Sequence, residues 1–229
     1  MKNQSKLFRG LKSLYRVMVP DSMKAIPFVM RIKGKFLGHD LIYDTDYFRL
    51  VDIIAIRNAS VMASSIIDDL KANTVIDVGC GTGALLKELR DRGCEVFGLE
   101  YAEAALEYCR SRQLNVQKFD LEKDTYYDNR EFDVTVSLEV AEHLPASAAD
   151  RYIDLLTQMS RVIVFTAAPP GQGGKDHVNE QLPSYWTTKF QQNGFEFLDE
   201  VTQRWRREWR DSGKVDEWYS KNLMIFRRV

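Results

Sequence analysis

The spacing of apolar positions changes along the chain, and each change marks an element. Over residues 47–70, Phe48, Val51, Ile54, Ala55, Met62, Ile66 and Ile67 recur close to every 3.6 positions, so one or two amphipathic helices are expected there. Thr74–Val78 is then a short β-branched run closed by glycines, and residues 84–92 return to helical spacing, which predicts a strand, a glycine turn and a helix. The alternation continues with strands at 95–100, 116–120, 132–138 and 161–167 and helices at 102–112 and 148–160. Such a βαβ series requires a parallel sheet with right-handed crossovers. Beyond it, residues 183–193 read as a helix stopped by Gly194, residues 195–201 as a strand, and the run NLMIFRR at 222–228 as one more. Residues 204–220, rich in Arg and Trp, carry no period that assigns them.

Ahead of this series, Leu7, Phe8, Leu11, Leu14, Tyr15 and Met18 follow helical spacing with Lys6, Arg9, Lys12 and Arg16 between them. Residues 5–19 are therefore expected to form a basic amphipathic helix that Pro20 ends, in an extension of residues 1–44 preceding an α/β domain of residues 45–229. A helix of this kind suits an anionic membrane surface; packing across its own domain, or a basic arm without fixed structure, are the plainer readings.

Composition narrows the class. With 229 residues, 45% hydrophobic and 28% charged, the chain has the make-up of one soluble globular domain, which excludes disordered, collagen-like and disulfide-scaffold proteins. The net charge of −1 argues against a broadly basic nucleic-acid surface, yet it hides an asymmetry. Residues 1–35 hold nine basic residues and one acid, Asp21, leaving 23 basic residues against 32 acids in the remainder. Cys80, Cys94 and Cys109 are odd in number and lack CxxC spacing, so reduced thiols and no structural metal are expected. Apolar stretches are interrupted by charge, as residues 17–32 are by Asp21, Lys24 and Arg31, and no signal-peptide pattern opens the chain. A cytoplasmic protein, with peripheral contact at the inner membrane face if residues 5–19 bind lipid, is the expectation.

The sharpest motif is Val75-Ile-Asp-Val-Gly-Cys-Gly-Thr-Gly83, a strand running into three glycines at alternate positions. Glycine is needed where backbone approaches a ligand closely or φ is positive, so this is a nucleotide-type turn. Gly79-x-Gly81-x-x-Ala84 also meets the dinucleotide pattern, which keeps a nicotinamide dehydrogenase open. Asp77, just ahead of the glycines, would repel a diphosphate and attract a cation, and Glu100, closing the next strand, is placed to accept both hydroxyls of a ribose.

On these residues the chain resembles class I S-adenosylmethionine-dependent methyltransferases from about residue 74 to 167. The resemblance implies a Rossmann-like, doubly wound seven-stranded sheet, six strands parallel and the last, NLMIFRR, antiparallel, with a helical N-terminal extension. It further implies that Gly79, Cys80, Gly81 and Gly83 line the methionine and ribose part of S-adenosylmethionine, with Asp77 near the amino group and Glu100 and the following Tyr101 at the ribose. Asp120 and Leu121 would contact adenine. Leu138-Glu139-Val-Ala-Glu-His143 resembles the fourth-strand motif, with Glu139 walling the methyl-transfer site.

The sulfonium is already electrophilic, so the protein must hold an acceptor in line and, for a hydroxyl, take its proton. His143 and His177 both follow strand ends; His177, in the Pro/Gly-rich loop 167–180, is the favoured base, against a reading in which it merely ties down that loop. His177 and Glu180 have metal-ligand spacing but lack a third ligand, so no metal is expected. Gly174-Lys175 is not a phosphate loop, since Pro169 stands where its first Gly belongs and Asp176 where Ser or Thr does. The loop followed by Pro-Ser-Tyr-Trp186 resembles bacterial methyltransferases of surface-glycan biosynthesis, which implies a glycan or small-molecule oxygen acceptor. A quinone-like lipid, an RNA base without its usual motif here, and a non-catalytic cofactor-binding scaffold remain alternatives. Tyr43, Tyr47 and Phe48, with Trp186, Trp205, Trp209, Trp218 and Tyr219, are candidates for stacking on an acceptor, or core. The arginines at 204, 206, 207 and 210 read as a solvated face or an anion-binding one.

Overall fold

The computed structural model describes residues 45–128 and 130–229. The expected extension 1–44, its amphipathic helix at 5–19 and the membrane contact inferred from it, together with Tyr43, lie outside the described residues.

The first described element, α1 (Thr45–Ser64), continues through a π-helical turn at Ser65–Asp69. The strands and helices then alternate: β1 (Thr74–Val78), α2 (Ala84–Asp91), β2 (Glu95–Glu100), α3 (Glu103–Ser111), β3 (Val116–Lys118), β4 (Phe132–Leu138), α4 (Ala149–Met159), β5 (Ser160–Thr166), α5 (Pro183–Gln192), β6 (Phe195–Phe197), α6 (Asp199–Asp211), α7 (Glu217–Asn222) and β7 (Met224–Arg228). The seven strands lie in the order β3-β2-β1-β4-β5-β7-β6. Strands β1 to β5 pair in parallel, while β7 runs antiparallel to both β5 and β6, so six strands share one direction and the last opposes them. The order reverses between β1 and β4, and the carboxyl ends of those two strands form the crevice where sheets of this kind bind ligands.

The core has two layers because the central strands are buried on both faces. One face packs Met62, Ala63 and Ile66 of α1, Leu85, Leu86 and Leu89 of α2, and Trp205 and Trp209 of α6. The other packs Tyr152, Ile153 and Leu156 of α4 with Trp186 and Phe190 of α5. The π turn is where α6 attaches: Trp209 Nε1 donates to Ser65 Oγ at 2.9 Å and Trp205 Nε1 to Asp69 Oδ2 at 2.6 Å.

The structure differs from the sequence expectations at three places. The strand expected at 195–201 ends at Phe197, because Leu198, Val201, Trp205 and Trp209 recur at helical spacing and α6 buries them with its arginines outward. The strand expected at 116–120 stops at Lys118. Tyr47–Asp69 is, by length and composition, apolar enough to cross a membrane, although charge was expected to interrupt every such stretch. Its packing is that of a core helix along one side, with Phe48, Ala59, Met62, Ala63 and Ile66 buried and Asp52 and Asn58 bonded to Arg112 and Asp216, while Leu50, Ile53 and Ile56 are exposed.

Candidate active site

The glycine turn leaves β1 at Val78 and is held by backbone bonds from Gly79 and Cys80 N–H to the Leu99 carbonyl, at 2.8 and 3.1 Å. Its three glycines serve different ends, although all have positive φ. A Cβ on Gly79 would stand 2.5 Å from Val140 Cγ2, and one on Gly83 2.4 Å from Leu114 Cδ1, so these two are required by packing. A Cβ on Gly81 would meet no heavy atom within 4 Å, so this glycine faces open space. Arg112, which no sequence motif singles out, braces the turn by donating to the Thr82 carbonyl at 2.6 Å while pairing with Asp52 of α1 at 2.7 Å.

Cys80, expected to line the cofactor, turns its thiol inward beside Gly98, where a Cβ would come within 2.8 Å of the sulfur. The hydrogen bond with Cys109, and then burial, push that thiol well above its ordinary pKa. What Cys80 can offer a ligand is its backbone.

Asp77 is only 5% exposed. Burial, and then the charge of Glu100, push its pKa up to about 8. Glu100 accepts backbone N–H bonds from Gly81 at 2.8 Å, Tyr101 at 2.8 Å and Ala102 at 2.7 Å, yet burial outweighs them and its carboxyl is also raised. Two carboxylates held out of water beside an open glycine are short of a cation and retain acceptor capacity. That donor set fits a group carrying an ammonium, a sulfonium and ribose hydroxyls. Tyr101 is partly exposed, with Lys118 Nζ 5.9 Å from its ring centre. Asp120 accepts from Glu122 N–H at 3.0 Å and Lys123 Nζ at 2.8 Å, and Leu121 packs against the second core layer.

At the end of β4, Glu139 adopts φ +55, a left-handed conformation unusual for a side-chain-bearing residue. Its N–H donates to Thr166 Oγ1 at 2.8 Å, and its carboxylate accepts from Gln172 Nε2 at 2.8 Å and Asn222 Nδ2 at 3.0 Å. The 3₁₀ turn that follows, Ala141–His143, presents Glu142 and His143. The Glu142 carbonyl accepts from Val178 and Asn179 N–H, which pins the loop after β5 onto the loop after β4. His177 thereby meets His143 edge to face, ring centres 4.9 Å apart. His177 Nδ1 lies 2.9 Å from Glu180 Oε1, and Glu180 is itself held by the N–H groups of Gly171 and Gly173 at 2.8 Å. Against burial, which raises it, those bonds keep the Glu180 carboxyl below its ordinary pKa. His177 Nε2 points the other way, 4.0 Å from Glu142 Oε1.

Glu142 is fully buried, with its carboxyl set against the backbone N–H groups of Glu142 itself and Ala168 and against the carboxyl of Glu139. Burial, and then the charge of Glu139, hold its carboxyl well above the ordinary range. The sequence motif contains Glu142 but gives it no role, because its neighbours arrive from a loop some 35 residues later. The glycine turn and this cluster adjoin: the Tyr47 hydroxyl is raised by burial and then by the charges of both Glu100 and Glu142. Of the aromatic candidates for acceptor stacking, Trp186, Trp205 and Trp209 are wholly buried core, and Arg206 commits its guanidinium to the Leu223 carbonyl, so the Arg/Trp segment is an α6 packing face.

A methyltransferase-domain family model matches residues 76–164. Among curated relatives, the ubiquinone biosynthesis O-methyltransferase of Alkalilimnicola ehrlichii is 27% identical over 171 residues, 70% of this chain and 64% of that protein. The one from Idiomarina loihiensis is 36% identical over 84 residues, 34% of this chain and 35% of the relative, so the matches span from about a third to just under two thirds of these relatives. Among solved structures, the magnesium protoporphyrin IX methyltransferase of Synechocystis with bound SAH superposes with a TM-score of 0.59 at 16% identity, covering 89% of this chain and all of that one. The SAM-bound amino pentose methyltransferase CalS10 of Micromonospora echinaspora gives 0.56 at 18% identity, covering 74% and 91%. With the seven-stranded order, the acidic strand ends and the glycine turn all in place, residues 76–164 match a methyltransferase domain and the chain shares the fold of the methyltransferases it superposes on.

Proposed function

We propose that the chain binds S-adenosylmethionine at the glycine turn and transfers its methyl group to a hydroxyl oxygen of a small molecule. The observation that carries this reading is the junction of two half-sites at the carboxyl ends of β1, β4 and β5: a cation-deficient pair, Asp77 and Glu100, beside the open Gly81, and next to it the Glu142, His143 and His177 cluster. Asp77 would neutralise the amino group, Glu100 would exchange backbone donors for ribose hydroxyls, and Asp120 and Leu121 would meet the adenine. Bound there, the cofactor supplies a methyl on a positively charged sulfur, which keeps the bond's electron pair as the acceptor oxygen takes the carbon. The remaining task is the hydroxyl proton, and the cluster is where this chain can receive it, with Glu180 fixing the His177 ring.

The relatives named for ubiquinone biosynthesis support a ring hydroxyl on a quinone precursor; the loop's resemblance supports a glycan hydroxyl. Transfer of labelled methyl to a panel containing both classes separates them, and no transfer to any member, with cofactor bound, would leave the scaffold reading. His177→Ala is expected to abolish turnover while cofactor affinity stays within about twofold; unchanged turnover would remove the cluster from the mechanism. The basic extension belongs to the same reading as a peripheral membrane contact of residues 5–19, and liposome flotation with and without residues 1–35 tests it.

A further inference from the structure

Two of the three cysteines meet under the glycine turn. Cys80 belongs to the turn itself and Cys109 to α3, yet their thiols are in hydrogen-bond contact. Both sulfurs also crowd one backbone group. Cys109 donates its S–H to the Gly81 carbonyl at 3.3 Å, and Cys80 Sγ stands 4.0 Å from the same oxygen. The space for them comes from two residues without side chains: a Cβ on Gly98 would lie 2.8 Å from Cys80 Sγ, and one on Gly83 2.9 Å from Cys109 Sγ. Cys94 stands apart from the pair, at the amino end of β2, where its thiol donates to the Ala72 carbonyl at 3.3 Å. All three thiols are free, and methyl transfer uses none of them.

We propose that Cys80 and Cys109 are an oxidative modification site, joined as a disulfide by a hydroperoxide, and that the bond draws the glycine turn out of its cofactor-binding shape. The peroxide is the only co-reactant. One sulfur, as its thiolate, attacks the O–O bond and becomes a sulfenic acid, while the alkoxide or hydroxide that leaves takes up a proton; the other thiol then attacks the sulfenic sulfur, and water departs. Two thiols give up two electrons and the O–O bond accepts them. Access is through the turn, since Cys80 is partly exposed and a Cβ on Gly81 would meet no heavy atom within 4 Å. The contact with Cys109, and then burial, keep the Cys80 thiol protonated, so the pair responds slowly, to sustained peroxide rather than to traces. Cys109 is wholly buried in the core layer of α1, α2 and α6, so α3 holds still and the turn does the moving. Joining the sulfurs removes the S–H donor from the Gly81 carbonyl and shifts Gly81 N–H, which now bonds Glu100 Oε2 at 2.8 Å. Glu100 is the carboxylate assigned to the ribose, so the inference rests on the cofactor reading for its consequence and not for the bond. A cofactor covering the open face of Gly81 closes the peroxide's path and protects the pair.

The test uses the full-length chain, reduced, freed of reductant and then treated with hydrogen peroxide. Thiol titration of unfolded samples should count three thiols before treatment and one after, and peptide mass mapping should join Cys80 to Cys109 and leave Cys94 free. Calorimetry on the same samples should show S-adenosylhomocysteine binding weakened at least about tenfold by oxidation and restored by dithiothreitol, and prior saturation with that ligand should slow the loss of thiols. Cys109→Ser should form no linkage, and peroxide should change its affinity less than about twofold from its own untreated value. If that variant does not fold, Cys94→Ser, whose two remaining thiols are the pair, must lose both together. Three thiols surviving, oxidation of either cysteine to a sulfinic acid without linkage, or a linked protein that binds as the reduced one does overturns the proposal. If the reduced chain binds no S-adenosylhomocysteine, the cofactor reading fails by itself; the mass map then decides the bond and hydrogen exchange at residues 79–83 the movement of the turn.

Discussion

Asp77→Asn isolates the electrostatic cost of preparing the cofactor site. In the folded chain the Asp77 carboxyl has a pKa of about 8, against about 3.9 for an unfolded aspartate. A group whose pKa rises on folding stabilises the fold fully only below its unfolded value, and that contribution is lost as pH climbs toward the folded value. A difference of one pH unit between the two pKa values corresponds to about 1.4 kcal/mol, so wild-type stability should fall relative to Asp77→Asn by about 4 kcal/mol between pH 5 and pH 8.5, approaching 5–6 kcal/mol in total. Glu100 titrates in both proteins and cancels to first order. Urea unfolding followed by the fluorescence of the buried Trp186, Trp205 and Trp209 measures the difference at pH 5, 7 and 8.5. A gap between the two proteins that stays constant within about 1 kcal/mol over that range would refute the role given to burial. The same variant should bind S-adenosylmethionine at least about tenfold more weakly, because the isosteric amide has no charge to set against the ammonium.

The glycines and the core offer sharper contrasts. Gly81→Ala should fold with a loss of about 1 kcal/mol from its positive φ, yet bind cofactor poorly because the added methyl fills the open face; Gly79→Ala should melt lower by the equivalent of about 2–3 kcal/mol from its contact with Val140. Calorimetry and thermal melting of both variants check the pair, and equal behaviour would refute the division of roles. Trp205→Ala should cost about 3–5 kcal/mol, with amide exchange accelerating first around Ser65–Asp69, where its indole is anchored. Arg112→Ala should cost about 3 kcal/mol, since it leaves Asp52 unpaired in a largely buried site, and should weaken cofactor binding by loosening Thr82; denaturant midpoints and cofactor titration read both effects.

What is legible in the sequence is whatever neighbouring residues decide together. β1, its three glycines and Asp77 form one continuous string, and Glu100 stands at the end of the next strand, so the first half-site can be assembled from the chain alone. The second half-site cannot, because Glu142 and His177 are brought together by backbone bonds between two loops far apart in the chain. The direction of the Cys80 thiol is hidden for a related reason: it lies beside Gly98, on another strand, which leaves room for it. Residues 198–201 fit a strand and a helix equally well in a short window, and the decision falls to Trp205 and Trp209, whose burial against α1 selects the helix.

The insertion of β7 between β5 and β6 has a consequence for how the chain is made. Every other strand precedes it, yet β6 pairs with the rest of the sheet only through β7. During synthesis, Phe165 and Ile163 on one side and Phe197 on the other therefore wait with an unfilled slot between them until residues 224–228 leave the ribosome. Until then the nascent domain carries two open apolar edges, which are templates for mispairing with other chains. A stop codon placed just before Met224 would release such a product, and its fate in a cell would be aggregation or proteolysis rather than reduced activity.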